Sequence, residues 1–355
     1  MLYLTCCFFL QLLDQDDWNS FSVGFFTSRT VFGNQNEFTP EQIQKIARKY
    51  IQLGEVGKAS SRLRSTKQIL KPNNEVFQKL IDLHPQVAGI IDDEDKEFLN
   101  SFDFDAIIQD IIQNENDYLP TTDMIAKIIS SSRNNVSPGL DGIRFELLKK
   151  LVSINTPSDR RNTNAQRVLE AITLFTKRML ISKVPDDVQC FIRDTRLTAI
   201  PKPKVGEIRP LGMQSIFRKI ASKHVLSSIR DAADKKFGSI QYVLRPNGVE
   251  HMIHAFKLYL RENESKTFVA ADGINAFNKE NRENMLHAFA KDFPHWYPFV
   301  NMIYGSDSNA WFKCLDDDDQ SFTARGIASK EGTQQGCVLA SLLYSCRACS
   351  ERSLQ

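Results

Sequence analysis

The apolar run Thr267–Ala271 ends on a carboxylate, Asp272, with Gly273 next and Phe277 five residues beyond the acid. A strand of small and apolar residues closing on Asp presents a partly buried carboxylate at a sheet edge, close to backbone carbonyls. Such a group can hold a divalent cation, or it can simply cap a helix or close a turn. Two-ion phosphoryl transfer needs two or three carboxylates from different segments, because each Mg²⁺ takes oxygen ligands and keeps several waters. Phe277 can be a core residue or a wall beside a bound sugar.

Two further stretches carry chemistry. PKPKVGEIRP (Pro201–Pro210) sets Lys202 and Arg209 on facing arms of a Pro-stiffened hairpin that turns at Gly206. An ammonium and a planar guanidinium placed so can grip one polyphosphate; a basic surface hairpin is the plainer reading. In EGTQQG, Gly336 lets backbone approach a ligand closely and Gln335 can hydrogen-bond a base or sugar, although QQG alone is a common loop. His251 and His254 lie three apart on a helix with no evident ligand partner and read as surface residues.

The net charge is only +2, but it is unevenly spread. Residues 133–236 hold 21 Lys and Arg against 10 Asp and Glu, whereas the rest of the chain holds 24 against 33. A basic block inside a near-neutral chain is the footprint of a phosphate-binding region. Seven cysteines, odd in number and scattered, point to a reducing compartment, cytoplasmic or nuclear, rather than a disulfide framework. Cys346 and Cys349 form a CxxC without a second pair, which argues against a metal site. The N-terminal LYLTCCFFLQLL is too short to span a bilayer and lacks a basic leader, so it reads as a buried element, with no membrane partner.

These groups need elements to position them. Thr39-Pro40-Glu41-Gln42 starts a helix that runs to Gly54, and further helices are expected at 56–63, 74–83, 102–112 and 122–131. The acids Asp92–Asp95 mark a linker. SSRNNVSPGLDG is a loop that opens a helix over 143–152, and SINTPSDRRNTNAQ reads as a second loop. Helices follow at 168–180, at 215–229 with basic residues on the wet face, and at 249–260. Strands are expected at 196–200 and 266–271, and 309–322 can pair with 324–328 across Asp316–Gln320.

The order of the motifs is more specific than any one of them. SPGLDGIRFELL, RLTAIPKPKVGEIRPLGMQSIFRKIASK, FVAADGINAFN and SKEGTQQGCVLASLLYS follow one another as in the reverse transcriptases of non-LTR (LINE-like) retrotransposons, which residues 121–344 resemble. Residues 54–85 also look like the helical region upstream of such polymerases. The resemblance implies an α+β fold: a helical N-terminal region and linker (1–120), fingers (121–265) and an incomplete ferredoxin-like palm (266–355) without a thumb. It implies that Asp272 binds metal, with the Gly273 carbonyl as an added ligand, and that Phe277 excludes a ribose 2′-OH. Lys202 and Arg209 would hold the incoming triphosphate, Gln335 and Gly336 would touch template and nucleotide, and Ser137–Gly142 would lie along the template.

The implied activity is DNA synthesis on RNA, with Mg²⁺ as cofactor and RNA template, DNA primer and dNTP as partners. The sequence departs from the family after QQG. No YxDD-type aspartate pair follows, Cys337 replaces a frequent Asp, and Val338 and Ser341 replace prolines. Asp316–Asp319 precedes QQG and reads as a solvated hairpin tip. The expectation is therefore a truncated polymerase domain, inactive as this chain. The alternatives are a non-catalytic nucleic-acid-binding remnant using the basic block, and a degenerate product with no selected activity.

Overall fold

The computed structural model describes residues 40–52, 60, 63, 70, 72–85, 93–152, 159–202, 204, 206–238, 241–263, 265, 266, 273, 275–315 and 321–350. The N-terminal apolar run, the expected helix over 56–63 apart from Ser60 and Leu63, the expected strand over 266–271 apart from Lys266, Asp272 and the acids Asp316–Asp319 all lie outside the described residues.

The first half is helical: α1 (Pro40–Gln52), α2 (Asn74–Asp82), α3 (Asp93–Ser101), α4 (Phe104–Gln113), α5 (Glu115–Tyr118), α6 (Thr122–Ser131), α7 (Phe145–Leu151), α8 (Asp159–Leu180) and α9 (Asp186–Arg193). Caps set several of the starts. Asn73, Asp103 and Thr121 each accept a hydrogen bond from a backbone N–H in the first turn, of Val76, Ala106 and Met124. The acids expected to form a linker instead open α3, where carboxylates are stabilised by the positive end of the helix dipole. The polar stretch expected to be a loop becomes helical at Asp159, because the apolar positions from Ala165 onward, Val168, Leu169 and Ile172 among them, recur at helical spacing and bury.

Among the described residues one four-stranded sheet follows, in the order β2-β1-β3-β4. β1 (Thr195–Pro201) and β2 (Ile208–Met213) form the antiparallel hairpin the prolines and Gly206 predict, with Arg196 opposite Met213 and Pro201 opposite Ile208. Gly206 sits at φ +84°, which glycine adopts without strain. β3 (Ser308–Leu315) runs parallel to β1 over Thr195–Leu197 and antiparallel to β4 (Phe322–Ser329). The sheet thus unites strands from the middle and the end of the chain. One face buries Leu197, Ile208, Ala310, Phe312, Cys314 and Ile327 against Val76 and Leu80 of α2. The architecture is a mixed α+β fold, rich in helices around a small mixed sheet.

Helix α10 (Ile216–Phe237) is the central strut. Ile216 and Ile220 pack with α6, α7 and α8, while Ala221, Val225, Ile229, Ala233 and Phe237 enter a second, larger core. Being buried on two sides, it has no simple wet face. Arg218 is completely buried and Lys219 and Lys223 are half-buried, contrary to the solvated basic face expected from sequence. The larger core is completed by α13 (Arg282–Asp292), a 3₁₀ turn at Pro294–Trp296, α14 (Tyr297–Tyr304) and α15 (Ala340–Ser350), with the exposed α11 (Gly248–Glu262) and the short α12 (Ala276–Lys279) before them. His251 and His254 are exposed on α11, as read from sequence.

Since Ile220 is wholly enclosed, Ile220→Ala should remove about 2–5 kcal/mol of stability in chemical denaturation, whereas Leu258→Ala on the exposed face of α11 should change it by less than about 0.5 kcal/mol.

Candidate functional site

The free edge of β2 is where the separate motifs meet. Gly212, near the end of that strand, donates its N–H to the Gln335 carbonyl at 2.8 Å, so the QQG loop covers the end of an edge strand that would otherwise be open. Gly336 adopts φ +102°, and a Cβ there would stand 2.6 Å from the Gly212 carbonyl oxygen and 3.0 Å from Leu211 Cδ1. Glycine is required on both counts, strain and space. Arg209 lies on the same strand and, by alternation, shares a face with Leu211; its side chain is exposed.

Across the hairpin Arg209 pairs with Ile200, and Lys202 donates its N–H to the Glu207 carbonyl at 2.9 Å. Ile200, Lys202, Glu207 and Arg209 therefore share one face. Glu207 holds both lysines, with Lys202 Nζ at 3.5 Å and Lys204 Nζ at 2.8 Å; the pull of Lys204 first, then of Lys202, keeps its carboxyl below the usual range. Exposed pairs of this kind are weak enough for a polyanion to displace.

The turn after Asp272 joins the same place. Asn275, in the left-handed conformation at φ 57°, donates to the Leu83 carbonyl at 2.6 Å, and Gln335 Nε2 reaches Asn275 Oδ1 at 3.5 Å. The Phe277 carbonyl accepts from Thr333 N–H at 2.6 Å, and Gly332 packs against the Phe277–Asn278 backbone so closely that no Cβ would fit. The Phe277 ring is half-buried, 5.5 Å from the ring of Tyr344. Gly273 is exposed.

A residue not foreseen from sequence fixes this loop. Arg282, buried at the start of α13, donates through Nε to Gly332 O (3.1 Å), through Nη1 to Ser329 O (2.8 Å), and through Nη2 to Ser329 Oγ (3.0 Å) and Glu331 O (2.9 Å). Its own N–H donates to Glu331 Oε2 at 2.7 Å. Burial lowers the pKa of Arg282, but a guanidinium stays charged, and Glu331 supplies the counter-charge. Arg282 and the completely buried Arg218 both lie over the Tyr304 ring, at 5.6 and 5.1 Å. The one sequence signal was a base in the first turn of a helix, where the dipole favours acids.

The SPGLDG loop docks onto the residues that follow β2. Gly139 lies directly against the Gln214–Ser215 backbone, with no room for a side chain. Asp141 accepts from the N–H groups of Ile216 and Ile143 (3.1 Å for the latter), so it caps α10 together with Ser215, whose Oγ accepts from Arg218 N–H at 3.1 Å. Burial pushes the Asp141 carboxyl up to about 6, against the opposing pull of those two N–H groups and of Lys219 and Arg196. Beside the QQG loop, Thr195 Oγ1, Asn278 Oδ1, Thr333 Oγ1 and Gln334 Oε1 are buried with no hydrogen-bond partner among the described residues. Each orphaned polar atom of this kind calls for a partner, such as a water or an ion, or for a role in chemistry.

The structure thus brings Arg209, Phe277, Gln335 and Gly336 to one neighbourhood, with Lys202 on the adjoining hairpin, while Asp272 lies outside the described residues. Among the described residues no group of three or more His, Cys, Asp or Glu could hold a metal ion, and a two-ion site does not fit these residues alone. No described helix is long and apolar enough to cross a membrane.

No protein-family model matches the chain. It is similar to the retrotransposable element SLACS 132 kDa protein of Trypanosoma brucei gambiense, 29% identical over 227 residues that cover 62% of this chain and 17% of that protein. The chain therefore corresponds to under a fifth of the length of this relative, a retrotransposon protein.

Two expectations follow from the site's backbone. Gly142→Ala, at φ +65° with open space around it, should cost only strain, about 1–2 kcal/mol, whereas Gly336→Ala should cost more because strain and clash combine; denaturation midpoints would rank the two. Asp141 has its folded pKa raised above the ordinary value of 3.8, so its contribution to stability is full below that value and is lost as pH rises through about 6. Relative to Asp141→Asn, the wild type should become less stable between pH 4 and 7, and parallel stability–pH curves for the two would refute the buried-carboxylate account.

Proposed function

We propose that this chain is the fingers and partial palm of a retrotransposon reverse transcriptase, which binds an RNA template, a DNA primer and a dNTP. The convergence of three distant segments on the end of β2 carries the reading: Gly139 against Gln214, Gln335 on Gly212, Asn275 on Gln335, and Thr333 on Phe277. A template-directed polymerase needs such a meeting of phosphate-holding cations, a sugar-facing aromatic and a backbone loop that approaches base and sugar. The similarity to a retrotransposon protein supports the same reading.

In this proposal Arg209 grips the triphosphate and Lys202 joins it by exchanging Glu207 for phosphate. Phe277, braced by Tyr344, stands where a 2′-OH would clash. The loop at Gln335 and Gly336 presents backbone to the nucleotide. Asp272 and the Gly273 carbonyl belong to the proposal as metal ligands, with Mg²⁺ as the cofactor a fuller carboxylate set would hold. One aspartate cannot hold two divalent ions, so the chain by itself is proposed to bind primed template without extending it. The second reading, a non-catalytic nucleic-acid-binding protein, is favoured by the basic character of residues 133–236.

Binding of a fluorescent dNTP to the purified chain with a primed RNA template separates them. Arg209→Ala should weaken it about 10-fold or more, the loss of a charge-assisted contact, and Lys202→Ala should weaken it less. Triphosphate binding indifferent to both substitutions would leave the second reading, and extension by the chain above an Asp272→Ala control would overturn the proposed inactivity.

A further inference from the structure

Six cations near β1 and the start of α10 lie within electrostatic reach of one another. Arg133, Lys149, Lys223, Lys219, Arg196 and Arg144 are each close enough to a neighbour in this series to disfavour its charge or to share a carboxylate with it. Burial, then Lys149 and Arg133, lowers the pKa of Lys223; burial likewise lowers that of Lys219, with Arg196 and Lys223 adding to it against Asp141. The acids that act on the group, Asp141 and Glu146, already accept backbone N–H groups, Asp141 from Ile216 and Ile143 and Glu146 from Asn135.

The ammonium groups themselves are held by neutral partners. Lys149 Nζ donates to Ser132 O (2.6 Å) and Asn134 Oδ1 (2.9 Å), Lys223 Nζ donates to Ser132 Oγ (2.7 Å) and stands 4.9 Å over the Phe145 ring, and Lys219 Nζ donates to Ser137 O (3.3 Å). Capping the C-terminus of α6 accounts for one ammonium at Ser132. It does not account for a second, brought from another helix and half-buried at the cost of repulsion. Lys219 and Lys223 are four residues apart on α10, one helical turn, so their ammonium groups lie on one side of that helix.

We propose that Lys149, Lys223 and Lys219, gathered around Ser132 and the Ser137 carbonyl, form a phosphodiester subsite that guides one polynucleotide strand along the first turns of α10 to the end of β2. The subsite rests on the nucleic-acid part of the proposed function and is independent of catalysis. An anion there relieves the mutual repulsion of the lysines and releases condensed counterions from the strand. Cations following one side of a helix suit the tracking of one strand's backbone.

The test is the salt dependence of binding of a single-stranded RNA oligonucleotide to the full chain. Lys149→Gln/Lys223→Gln should make the slope of log K against log salt shallower by about 1.4, two single-strand contacts, while leaving triphosphate binding unchanged. Arg133→Gln, an exposed change with little bearing on folding, should make it shallower by about 0.7. Inorganic phosphate should compete only at far higher concentration than oligonucleotide. A slope unchanged in both variants overturns the subsite even where triphosphate binding obeys Arg209. A slope that falls as stated while triphosphate binding ignores Arg209 keeps the subsite and removes the polymerase reading. Equal competition by inorganic phosphate makes the site one for free anions and contradicts the strand assignment.

Discussion

The guanidinium of Arg282 is the constraint from which the rest of the site follows. Four of its hydrogen bonds go to the turn that ends β4, and its own N–H is tied to the carboxylate of Glu331 in that turn. The turn leads directly into Thr333–Gly336, so its position sets where the QQG backbone meets Gly212 and where Thr333 meets Phe277. Removing the guanidinium would leave those buried acceptors unsatisfied, at about 1–3 kcal/mol for each. The loop is accordingly built as a rigid part of the core rather than as a mobile flap. Rigidity suits a surface whose purpose is to hold reacting groups in a fixed relation.

Arg218 extends that constraint to the other side of the molecule. It lies over the same Tyr304 ring and donates to the Arg193 carbonyl at 2.8 Å, at the end of α9 just before β1. Two helix starts, α10 and α13, are thereby locked to one aromatic residue between them. The hairpin bearing Lys202 and Arg209 and the loop bearing Gln335 therefore take their positions from a common buried centre, although they lie more than a hundred residues apart in sequence. The same α10 carries the half-buried Lys219 and Lys223 just after Arg218, so one helix holds both the anchor and the charge.

Local chemistry made part of this legible in the sequence. The β1–β2 hairpin could be read from its prolines and Gly206, the β3–β4 pairing across Asp316–Gln320 was expected although Phe322 belongs to the second strand, and several helix starts follow from their capping residues. The errors have physical causes. Acids at Asp93–Asp95 look like a solvated linker until the dipole of α3 is considered, and the polar start of α8 carries its apolar positions only further along. The basic residues of α10 read as wet because amphipathic patterning assumes one buried face, whereas this helix is enclosed on two. The convergence on β2 could be expected only through family resemblance, since no local rule links Gly139, Gly212, Asn275 and Gln335. Arg282 was missed because a buried arginine is specified by acceptors 47 to 50 residues away.

The central claim is that Arg282 fixes the QQG loop against β2, and amide hydrogen exchange in the wild type and in Arg282→Met tests it most directly. The account predicts that the substitution strips protection from Gly212 and Thr333, whose N–H groups donate to Gln335 O and Phe277 O, while Leu197 and Phe312 in the sheet core keep theirs. Gly212 and Thr333 remaining as protected as in the wild type would contradict it.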